Sequence, residues 1–348
     1  MKRIRVMMVG SAEKSKGGVT TVISILKQCP FWNQYQCYWL GTQIQGTYQQ
    51  KLIQCTKAYV IAFFTIWKYN IIHFHAVPDI SLIVQLPVFL LAKFARKKII
   101  LHLHVGNQIE EYKESRLFQY CMKKSDLVLV LAKIWKNKLQ VLFPHITTPV
   151  QYLYNPYTPV RSINYSYHTQ TIIYAAHLNK NKAYDVLLKG FKEISGKYRD
   201  WKLIIMGDGE TDSAKELASK LELTPEQVEF TGYIVGKQKE EYFQHASIFC
   251  MCSYREGFPM VVLEAWAYGI PVITTPVGGL PDVIEENKNA CIFNFGDYKG
   301  LADQLDYLMS NGQLRQSMSR YSKKFVENNF STKRINNELS SIYDHLYT

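Results

Sequence analysis

The stretch that decides the fold of this chain is Ser253-Tyr-Arg-Glu-Gly-Phe-Pro-Met-Val-Val-Leu-Glu-Ala-Trp-Ala-Tyr-Gly269. A loop carrying Glu256 leads into a predicted helix that has Pro259 near its first position and Gly269 just past its last turn. Proline suits a first helical turn because its missing N–H is not needed there, and glycine suits the residue after a helix. The stretch therefore predicts a loop-to-helix unit, which the apolar segment 271–274 follows.

The start of this predicted helix is suited to binding an anion. Its backbone N–H groups have no partner within the helix, and the positive end of the helix dipole lies behind them. Two carboxylates, Glu256 and Glu264, flank this end, and a carboxylate can accept hydrogen bonds from two neighbouring hydroxyls of a ribose or hexose ring. Backbone that holds phosphate and acids that hold diols together predict a nucleotide-sugar pocket. The residues at the helix start are Gly257, Phe258, Pro259, Met260 and Val261.

The whole stretch resembles the donor-binding signature of the retaining glycosyltransferases of family four, of the bacterial cell-surface polysaccharide type, which have the two-domain GT-B architecture. That signature is a glutamate, seven intervening residues and a second glutamate, written around E-G-F-P and E-A-x-A-x-G-x-P-V, and every position is matched. The resemblance implies that Glu264 holds the ribose hydroxyls and that Glu256 acts on the donor sugar. The alternative is an ordinary loop and amphipathic helix with two surface glutamates.

Short β-like runs alternate with helix-length segments along nearly the whole chain, which is the pattern of parallel α/β sheets. With 348 residues, 47% of them hydrophobic, the chain is long enough for two domains with separate cores. We expect an α/β protein with two doubly wound, Rossmann-like sheets, and the resemblance implies that they face each other across a GT-B cleft. The predicted strands are 4–9, 37–40, 71–74, 99–103, 127–130, 150–153, 171–175, 202–206, 228–231, 248–251, 271–274 and 290–293.

The predicted linker is the segment 154–168, which carries proline and asparagine and has no clear periodicity. We assign 1–160 to an N-terminal domain on the acceptor and membrane side. Residues 161–330 form the predicted nucleotide-sugar donor domain. The last segment, 331–348, is predicted to be a helix that packs back towards the N-terminal domain.

The cysteines and the apolar runs bear on the compartment. The seven cysteines include no CxxC pair, so we expect neither disulfides nor a zinc site, and a reducing cytoplasm fits best. The apolar run at the N-terminus is short and predicts a first strand rather than a signal peptide. The longest apolar runs, 58–67 and 80–94, fall short of the roughly 18–20 residues that a spanning helix needs.

The net charge of +12 is unevenly distributed. Residues 1–163 carry 21 Lys and Arg against 6 Asp and Glu, or +15, whereas residues 164–348 carry 20 against 23, or −3. An anionic bilayer, a pyrophosphate-bearing acceptor or nucleic acid would each suit the basic half, and a solvated face without a partner is the alternative. The sequence shows no RNP-like aromatics, helix-turn-helix or zinc-finger spacing, so nucleic acid is not the expected partner.

A second glycine-bearing loop follows the first predicted strand and opens the first predicted helix. Its residues Gly17 and Gly18 let the backbone approach a ligand closely, next to a helix start that favours negative charge. In the resembling family this loop comes close to the donor phosphates and the acceptor. A Gly-Gly turn after a strand is also common without a ligand. The loop is not a GxGxxG fingerprint, which argues against a nicotinamide or flavin dehydrogenase.

The segment 174–188 matches in register the family pattern that supplies an Arg and a Lys to the donor diphosphate. Lys182 stands at the lysine position, His177 replaces the arginine and Ala183 replaces the glycine. A lysine there can stabilise the charge that develops on the departing diphosphate. A histidine would be only partly charged at neutral pH, so the charge supplied by His177 is in question. The alternative for Lys182 is a solvated lysine at a helix start.

Three further places match the family more weakly. Strand alternation puts His102 and His104 on one face, and His104 best fits the family's histidine near the donor sugar, although lone strand histidines are more often core residues. Tyr233 lies in a segment that resembles the one whose backbone contacts the nucleobase. The segments 206–210 and 276–281 match family loops and are better fold markers than catalytic sites.

From the sequence we expect a cytoplasmic, retaining, metal-independent glycosyltransferase. It would move a hexose-type sugar from a nucleotide-sugar, with UDP favoured, to a growing and lipid-linked surface polysaccharide such as O-antigen, capsule or exopolysaccharide. The expected catalytic residues are Glu256, His104 and Lys182. No cofactor is expected, and the lack of a D-x-D element agrees with metal independence. The alternatives are another GT-B enzyme such as a nucleotide-sugar epimerase, and a non-catalytic basic binding protein.

The basic half also predicts reversible binding to the anionic inner face of a cell membrane, through charge and without insertion. The clusters expected to make this contact are Arg96-Lys97-Lys98 and Lys123-Lys124.

Overall fold

The computed structural model describes residues 4–78, 80–158, 160, 165 and 168–347. The chain divides into two compact units, the first formed by Met1–Pro156 with Phe330–Thr348 and the second by Tyr157–Asn329. The predicted N-terminal domain ends at residue 160, four residues after the first segment of the first unit ends at 156. The predicted donor domain ends at residue 330, one residue after the second unit ends at 329.

The first unit contains a parallel sheet of six strands in the order β2-β1-β3-β4-β5-β6. The strands are buried on both faces where helices cover them, as the run of fully buried residues 6–9 shows. Their bounds are β1 Val6–Ser11, β2 Tyr38–Gln43, β3 Ile71–Ala76, β4 Lys98–Leu103, β5 Leu127–Val130 and β6 Val150–Tyr152.

The second unit contains a second parallel sheet of six strands, in the order β12-β11-β10-β7-β8-β9. Their bounds are β7 Thr171–Ala175, β8 Lys202–Met206, β9 Val228–Gly232, β10 Ile248–Met251, β11 Val272–Thr274 and β12 Ala290–Ile292. Each of the twelve predicted strands is present, with ends that differ by up to three residues. The predicted fold class, two Rossmann-like α/β sheets, is confirmed.

Helices connect the strands in both units. Those of the first unit are α1 Gly18–Lys27, α2 Pro30–Gln34, α3 Tyr48–Thr65, α4 Ile80–Phe94, α5 Arg116–Lys124 and α6 Lys133–Leu142, together with α13 Thr332–Tyr347. Those of the second unit are α7 Tyr184–Ser195, α8 Thr211–Lys220, α9 Lys237–Gln244, α10 Met260–Tyr268, α11 Tyr298–Ser310 and α12 Gly312–Phe330, whose last residue is the first of the closing segment of the first unit.

The C-terminal helix α13 packs within the first unit. Tyr343 is buried there, with its ring 5.5 Å from that of Phe31, and the Tyr35 hydroxyl donates to Asp344 at 3.0 Å. The chain therefore returns to its first unit after completing the second.

Strand order reverses once in each sheet, and the reversal marks a place for ligands. In the first sheet the chain moves from β1 to β2 on one side and then to β3 on the other, and in the second sheet β8 and β10 flank β7. Right-handed crossovers put successive helices on opposite faces at such a point, which leaves a crevice at the carboxyl ends of the two central strands. The crevices of interest are therefore those between β1 and β3 and between β7 and β10.

Among the described residues, no helix combines the length and the hydropathy that crossing a bilayer would require.

Gly207, in the turn after β8, is a position where even one methyl group would not fit. A Cβ at Gly207 would lie 1.8 Å from the carbonyl oxygen of Ala176, which is backbone and cannot move aside. Gly207→Ala should therefore lower the free energy of unfolding of the second unit by roughly 3 kcal/mol. The measurement is urea unfolding followed by circular dichroism.

The matched control is Gly196→Ala, because Gly196 has an ordinary helical φ of −66° and open space around it. That control should leave stability unchanged or raise it by a few tenths of a kcal/mol, as alanine restricts the unfolded chain. Equal midpoints for the two variants would contradict the tight packing of the β8 turn.

Candidate functional site

The strongest cluster of predicted site residues lies at the strand-order reversal of the second sheet. The loop after β7 carries Lys182 and the loop after β10 carries Glu256, and their side chains form a close ion pair. The two groups are mostly buried, at 22% and 15% exposure. Because β7 and β10 are neighbouring strands, their carboxyl ends bring together two residues that are 74 positions apart.

Backbone contacts hold these two loops against each other. The N–H of Tyr254 donates to the carbonyl of Asn181 at 2.8 Å, and the Asn181 amide donates to the carbonyl of Arg255 at 3.0 Å. The Asn179 side chain accepts from the N–H of Lys182 at 3.0 Å and so caps the turn. The Lys182–Glu256 pair is therefore held on a rigid support, as a binding group must be.

Ala183 accounts for one departure from the family motif. Its backbone is left-handed, with φ +51° and ψ +47°, which is the conformation that glycine adopts most easily. The turn thus keeps the shape that a glycine position requires, even though alanine occupies it. The cost of placing an L-residue there is roughly 1–2 kcal/mol.

The predicted signature helix is present as α10. Pro259 immediately precedes it as the capping residue, Met260 is its first residue, and Gly269 ends it with φ +74°. The preceding loop is supported by the segment 276–281, because the N–H of Gly279 donates to the carbonyl of Gly257 at 2.9 Å. A Cβ at Gly278 would lie 2.8 Å from that same carbonyl oxygen, so the two loops are in direct backbone contact.

Glu264 has a partner that sequence reasoning missed. Its carboxylate accepts a hydrogen bond from the ammonium group of Lys239, on α9, at 2.6 Å. Both side chains are about 30% exposed, at 27% and 32%. Lys239 could not be singled out from the sequence, because it is one of several charged residues on a polar helix.

His177 lies at the surface of the second unit. Its Nδ1 is 2.8 Å from the carboxylate of Asp208, and the two side chains are 59% and 46% exposed. Gly209 packs against the imidazole, since a Cβ there would lie 2.9 Å from Cε1 of His177. The carboxylate fixes Nδ1 as the hydrogen-bond donor, so Nε2 is the nitrogen that remains available to a ligand.

The other predicted residues are placed as follows. Tyr233 lies just beyond β9 and is 48% exposed, whereas Phe258 is buried. In the first unit, Gly17 caps α1 with φ +130° and Gly18 begins the helix, and a Cβ on either glycine would meet open space. The helix start is therefore accessible to a ligand.

His104 is part of a histidine cluster that the sequence only partly revealed. Strands β3 and β4 pair His75 with His102, and ring contacts join His73, His75, His102 and His104 on one face of the first sheet. Nδ1 of His75 is 2.9 Å from Nε2 of His104, and Nε2 of His73 is 3.3 Å from Nδ1 of His102. At the far end, Nδ1 of His73 is 2.7 Å from the hydroxyl of Tyr343.

The cluster is a hydrogen-bonded network whose nitrogens also lie close together. Nitrogens of His73, His75 and His102 all lie within 4.8 Å of one another, which is close enough for shared coordination. The rings of His73 and His75, however, are stacked 4.4 Å apart with only 22° between their planes. Lone pairs of imidazole lie in the ring plane, so the stacked rings of His73 and His75 would have to turn before both could point at one ion.

Burial keeps the imidazoles neutral. It lowers the pKa of His73, His75 and His102 well below the usual 6.5, and the neighbouring histidines lower it further. Burial also lowers the pKa of His104, to about 3. Nε2 of His75 and Nε2 of His102 are buried without a hydrogen-bond partner, which is costly and is tolerated most often at functional sites.

This cluster predicts that the first unit loses stability in mild acid. The unfolded chain binds protons near pH 6.5, whereas the folded cluster binds them only at much lower pH, so stability is present above pH 6.5 and is lost as the pH falls. From pH 7.5 to pH 5, each buried histidine should remove about 2 kcal/mol from the free energy of unfolding. Urea unfolding at several pH values measures this loss.

His102→Gln should make the decrease in the free energy of unfolding between pH 7.5 and pH 5 smaller by about 2 kcal/mol, because one titrating group is gone. The comparison variant is His145→Gln, which removes an exposed histidine of the same unit that lies outside the cluster. An unfolding midpoint that does not change between pH 7.5 and pH 5 would show that the cluster is not held neutral.

Comparison with known families adds to this geometry. Residues 164–325 match the family model described as glycosyl transferases group 1. The capsular polysaccharide biosynthesis glycosyltransferase CapM of Staphylococcus aureus is 31% identical over 174 residues, which are 49% of this chain and 45% of CapM. An uncharacterised 41.2 kDa protein in the cps region of Klebsiella pneumoniae is 24% identical over 322 residues, 85% of this chain and 88% of that protein.

Solved structures share the fold at low sequence identity. Anabaena HepE in complex with UDP and glucose has a TM-score of 0.74 at 17% identity, covering 98% of this chain and 99% of that one. The sucrose-phosphate synthase of Thermosynechococcus elongatus has a TM-score of 0.78 at 16% identity, covering 99% of each chain.

This chain matches about half the length of the first curated relatives. The family model covers most of the second unit, where the Lys182–Glu256 and Lys239–Glu264 pairs lie. Residues 164–325 therefore match the model of the group 1 glycosyltransferases, and the chain shares its fold with solved structures such as that of HepE.

Proposed function

We propose that this chain transfers a hexose-type sugar from a nucleotide-sugar donor, with UDP favoured, to a hydroxyl of a growing, lipid-linked surface polysaccharide. The observation that carries the proposal is the Lys182–Glu256 ion pair at the strand-order reversal of the second sheet. It places one cation and one carboxylate together where α/β sheets bind ligands. A leaving diphosphate and an anomeric centre that becomes positive need these two charges.

Lys182 is the proposed partner of the diphosphate. Its ammonium group pairs with Glu256, and the diphosphate of a bound donor would compete for it. The backbone N–H groups before α10 and the helix dipole behind them supply further positive potential. Nε2 of His177 would donate a further hydrogen bond to a phosphate oxygen when both ring nitrogens carry protons, because Nδ1 is the donor to Asp208.

Glu256 is the proposed stabiliser of the reacting sugar. As the bond from the anomeric carbon to the diphosphate oxygen breaks, positive charge develops on the sugar, and a nearby carboxylate lowers its energy. The acceptor oxygen forms the new bond on the face that the diphosphate leaves, so the anomeric configuration is retained. The proton of the acceptor hydroxyl passes to the departing phosphate oxygen.

Glu264 and Lys239 are the proposed nucleoside pair. One carboxylate oxygen of Glu264 accepts from Lys239 at 2.6 Å, and the other is available to ribose hydroxyls. Lys239 would act as a positioning residue, because its hydrogen bond fixes the orientation of the carboxylate. In the first unit, the roles that the resemblance assigns to Gly17, Gly18 and His104 remain predictions.

The polysaccharide pathway rests on the relatives, and the lipid-linked acceptor on the basic residues 1–163, which carry a net charge of +15. CapM is named for capsular polysaccharide biosynthesis, and the Klebsiella protein for its place in the cps region. The preference for UDP rests on HepE, whose structures hold UDP or UDP-glucose. We also propose that the transfer needs no metal, because Lys182 supplies the positive charge that Mg²⁺ would otherwise bring to the diphosphate.

Glu264→Gln should weaken donor binding. The substitution replaces a charged acceptor of two hydrogen bonds by an amide, and charge-assisted hydrogen bonds contribute roughly 1.5–3 kcal/mol. Calorimetric titration with UDP measures the affinity. Lys239→Met should weaken it too, by less, and the double variant should lose less than the sum of the two because both act through one carboxylate. Unchanged affinity in Glu264→Gln would remove Glu264 from the site.

Turnover tests the proposed function itself. The protein is incubated with UDP-, GDP- and dTDP-sugars, with and without extracted lipid-linked saccharide and with and without EDTA, and nucleotide release is followed. One donor should be consumed, faster with acceptor and equally well in EDTA. Lys182→Ala should lower that rate by on the order of 10²–10³-fold, the usual scale for losing one preorganised stabiliser of developing charge.

Glu256→Gln should also lower the rate more than it weakens binding. The matched control is Lys189→Ala, which removes a lysine paired with Asp185 at 3.4 Å on the exposed face of α7, and it should keep the full rate. Donor binding without any turnover would favour a non-catalytic binding protein, and conversion of the donor sugar without transfer would favour an epimerase.

A further inference from the structure

The first unit exposes an unusual amount of apolar surface on two neighbouring helices. Of the twenty large hydrophobic side chains that are exposed in the described residues, eleven lie between residues 48 and 94, on α3, α4 and the turn after α3. Single exposed hydrophobic residues are normal, but a contiguous apolar surface marks a binding site.

The outward face of α4 is apolar along its whole length. Ile80, Ile83, Pro87, Leu90 and Phe94 recur at intervals of three and four residues, so they form one stripe, and all five are exposed. The opposite side of the same helix is buried against the sheet at Leu82, Val88 and Phe89. The helix is therefore apolar on both its buried and its outward side, and exposure of the outward side to water is unfavourable.

The outward face of α3 continues this surface. Ile53, Val60, Phe63 and Phe64 are exposed on the helix, and Trp67 is exposed in the turn that follows. The buried contacts of α3 are made by the small residues Ala58 and Ala62. The larger side chains of this helix therefore point away from the protein.

The two helices are packed side by side, so that their outward faces are continuous. The hydroxyl of Tyr59, on α3, donates to the carbonyl of Val84, on α4, at 2.8 Å. Both helices are right-handed crossovers that lead in the same direction across the sheet, so both cover the same side of it. The outward residues of α3, the following turn and α4 are hereafter the α3–α4 face.

The charge around the α3–α4 face has one sign. Between Glu13 and Glu110 the sequence has ten Lys and Arg and a single acidic residue, Asp79, which lies outside the described residues. Lys57, Lys68 and Lys93 are exposed on the same helices and the turn after α3. An apolar surface with a basic border is complementary to a bilayer with anionic headgroups.

A cavity of about 310 Å³ opens at one end of this surface. Ser11, Ser15 and Lys16 line it from the carboxyl end of β1 and the loop after it, Lys51 lines it from α3, and Ile80 and Val84 line it from α4. Hydroxyls and ammonium groups are ligands for phosphate, whereas Ile80 is also the first residue of the apolar stripe. The cavity is thus continuous with the α3–α4 face.

We propose that the α3–α4 face inserts into the interfacial layer of an anionic membrane, and that the adjoining cavity holds the phosphate of a lipid in that layer. The proposal rests on the proposed function, since a lipid-linked acceptor would reach the enzyme from this membrane. It replaces the expectation of binding by charge alone, because the exposed side chains are apolar and aromatic. Part of the binding to anionic membranes should then persist at high salt.

A second copy of this chain fits the surface less well than a bilayer. In a symmetric dimer each α3–α4 face would meet another with the same basic border, and like charges would lie opposite each other without acidic partners. An anionic headgroup layer supplies the missing negative charge. The aromatic side chains Phe63, Phe64, Trp67 and Phe94 are residue types that enter membrane interfaces readily.

The test uses the full chain and co-sedimentation with vesicles of phosphatidylglycerol and phosphatidylcholine, at about 0.1 M and about 1 M salt. The wild-type protein should bind at low salt and keep a measurable part of that binding at high salt. The double variant Phe64→Gln, Phe94→Gln should lose binding at least about tenfold under both conditions. Lys16→Gln with Lys51→Gln should lose it mainly at low salt.

The matched control is Val141→Gln on α6, because Val141 is 78% exposed, as Phe94 is, but lies outside the α3–α4 face. It should bind like the wild type, and urea midpoints should show that all variants are folded. Wild-type protein that stays in the supernatant, or a Phe64→Gln, Phe94→Gln variant that still binds, would overturn the proposal. The proposal would also be overturned if the wild type is a dimer, the Phe64→Gln, Phe94→Gln variant is a monomer, and both bind vesicles equally.

No sugar donor is present in this assay, so its result is independent of the proposed function. Vesicle binding without sugar transfer would contradict the proposed function alone. Sugar transfer by a protein that ignores vesicles would contradict the membrane surface alone.

Discussion

The ion pair between Lys182 and Glu256 is the interaction on which the account of the second unit depends. It can form only because β7 and β10 are adjacent in a parallel sheet, so that two loops from distant parts of the chain meet at the same edge. The turn at Ala183, the Asn181 contacts and the loop 276–281 all hold the two loops in place. The Glu264–Lys239 pair belongs to the same unit and gives a second charged group suited to a nucleotide.

Much of this arrangement could be predicted from the sequence. The apolar runs are short, rich in Ile, Val and Leu, and separated by helix-length segments, so all twelve strands could be placed from the pattern alone. Glu256 and the residues around the start of α10 were identifiable because proline and glycine mark the two ends of a helix and the paired glutamates have a fixed spacing. Lys182 was singled out by a motif match, but its contact with Glu256 was not predicted, and the order of the sheet supplies the physical reason for that contact.

Other features could not be predicted, because they depend on which elements pack together. Lys239 is one charged residue among many until α9 is placed beside α10. His73 and Tyr343 are 270 positions apart, so their contact depends on the return of α13 to the first unit. The apolar runs 58–67 and 80–94 were recognised only as too short to span a membrane, and which of their side chains face outward depends on how α3 and α4 pack. The charge count alone therefore predicted the membrane as a partner but missed the apolar surface that would enter it.

The central claim is that the second unit holds a nucleotide-sugar between its two lysine–glutamate pairs. A crystal structure of the chain grown with the UDP-sugar that it consumes tests this most directly. We expect a diphosphate within hydrogen-bond distance of Nζ of Lys182, ribose hydroxyls on the carboxylate of Glu264, and sugar hydroxyls near Glu256. A nucleotide bound elsewhere, with both ion pairs undisturbed, would contradict it.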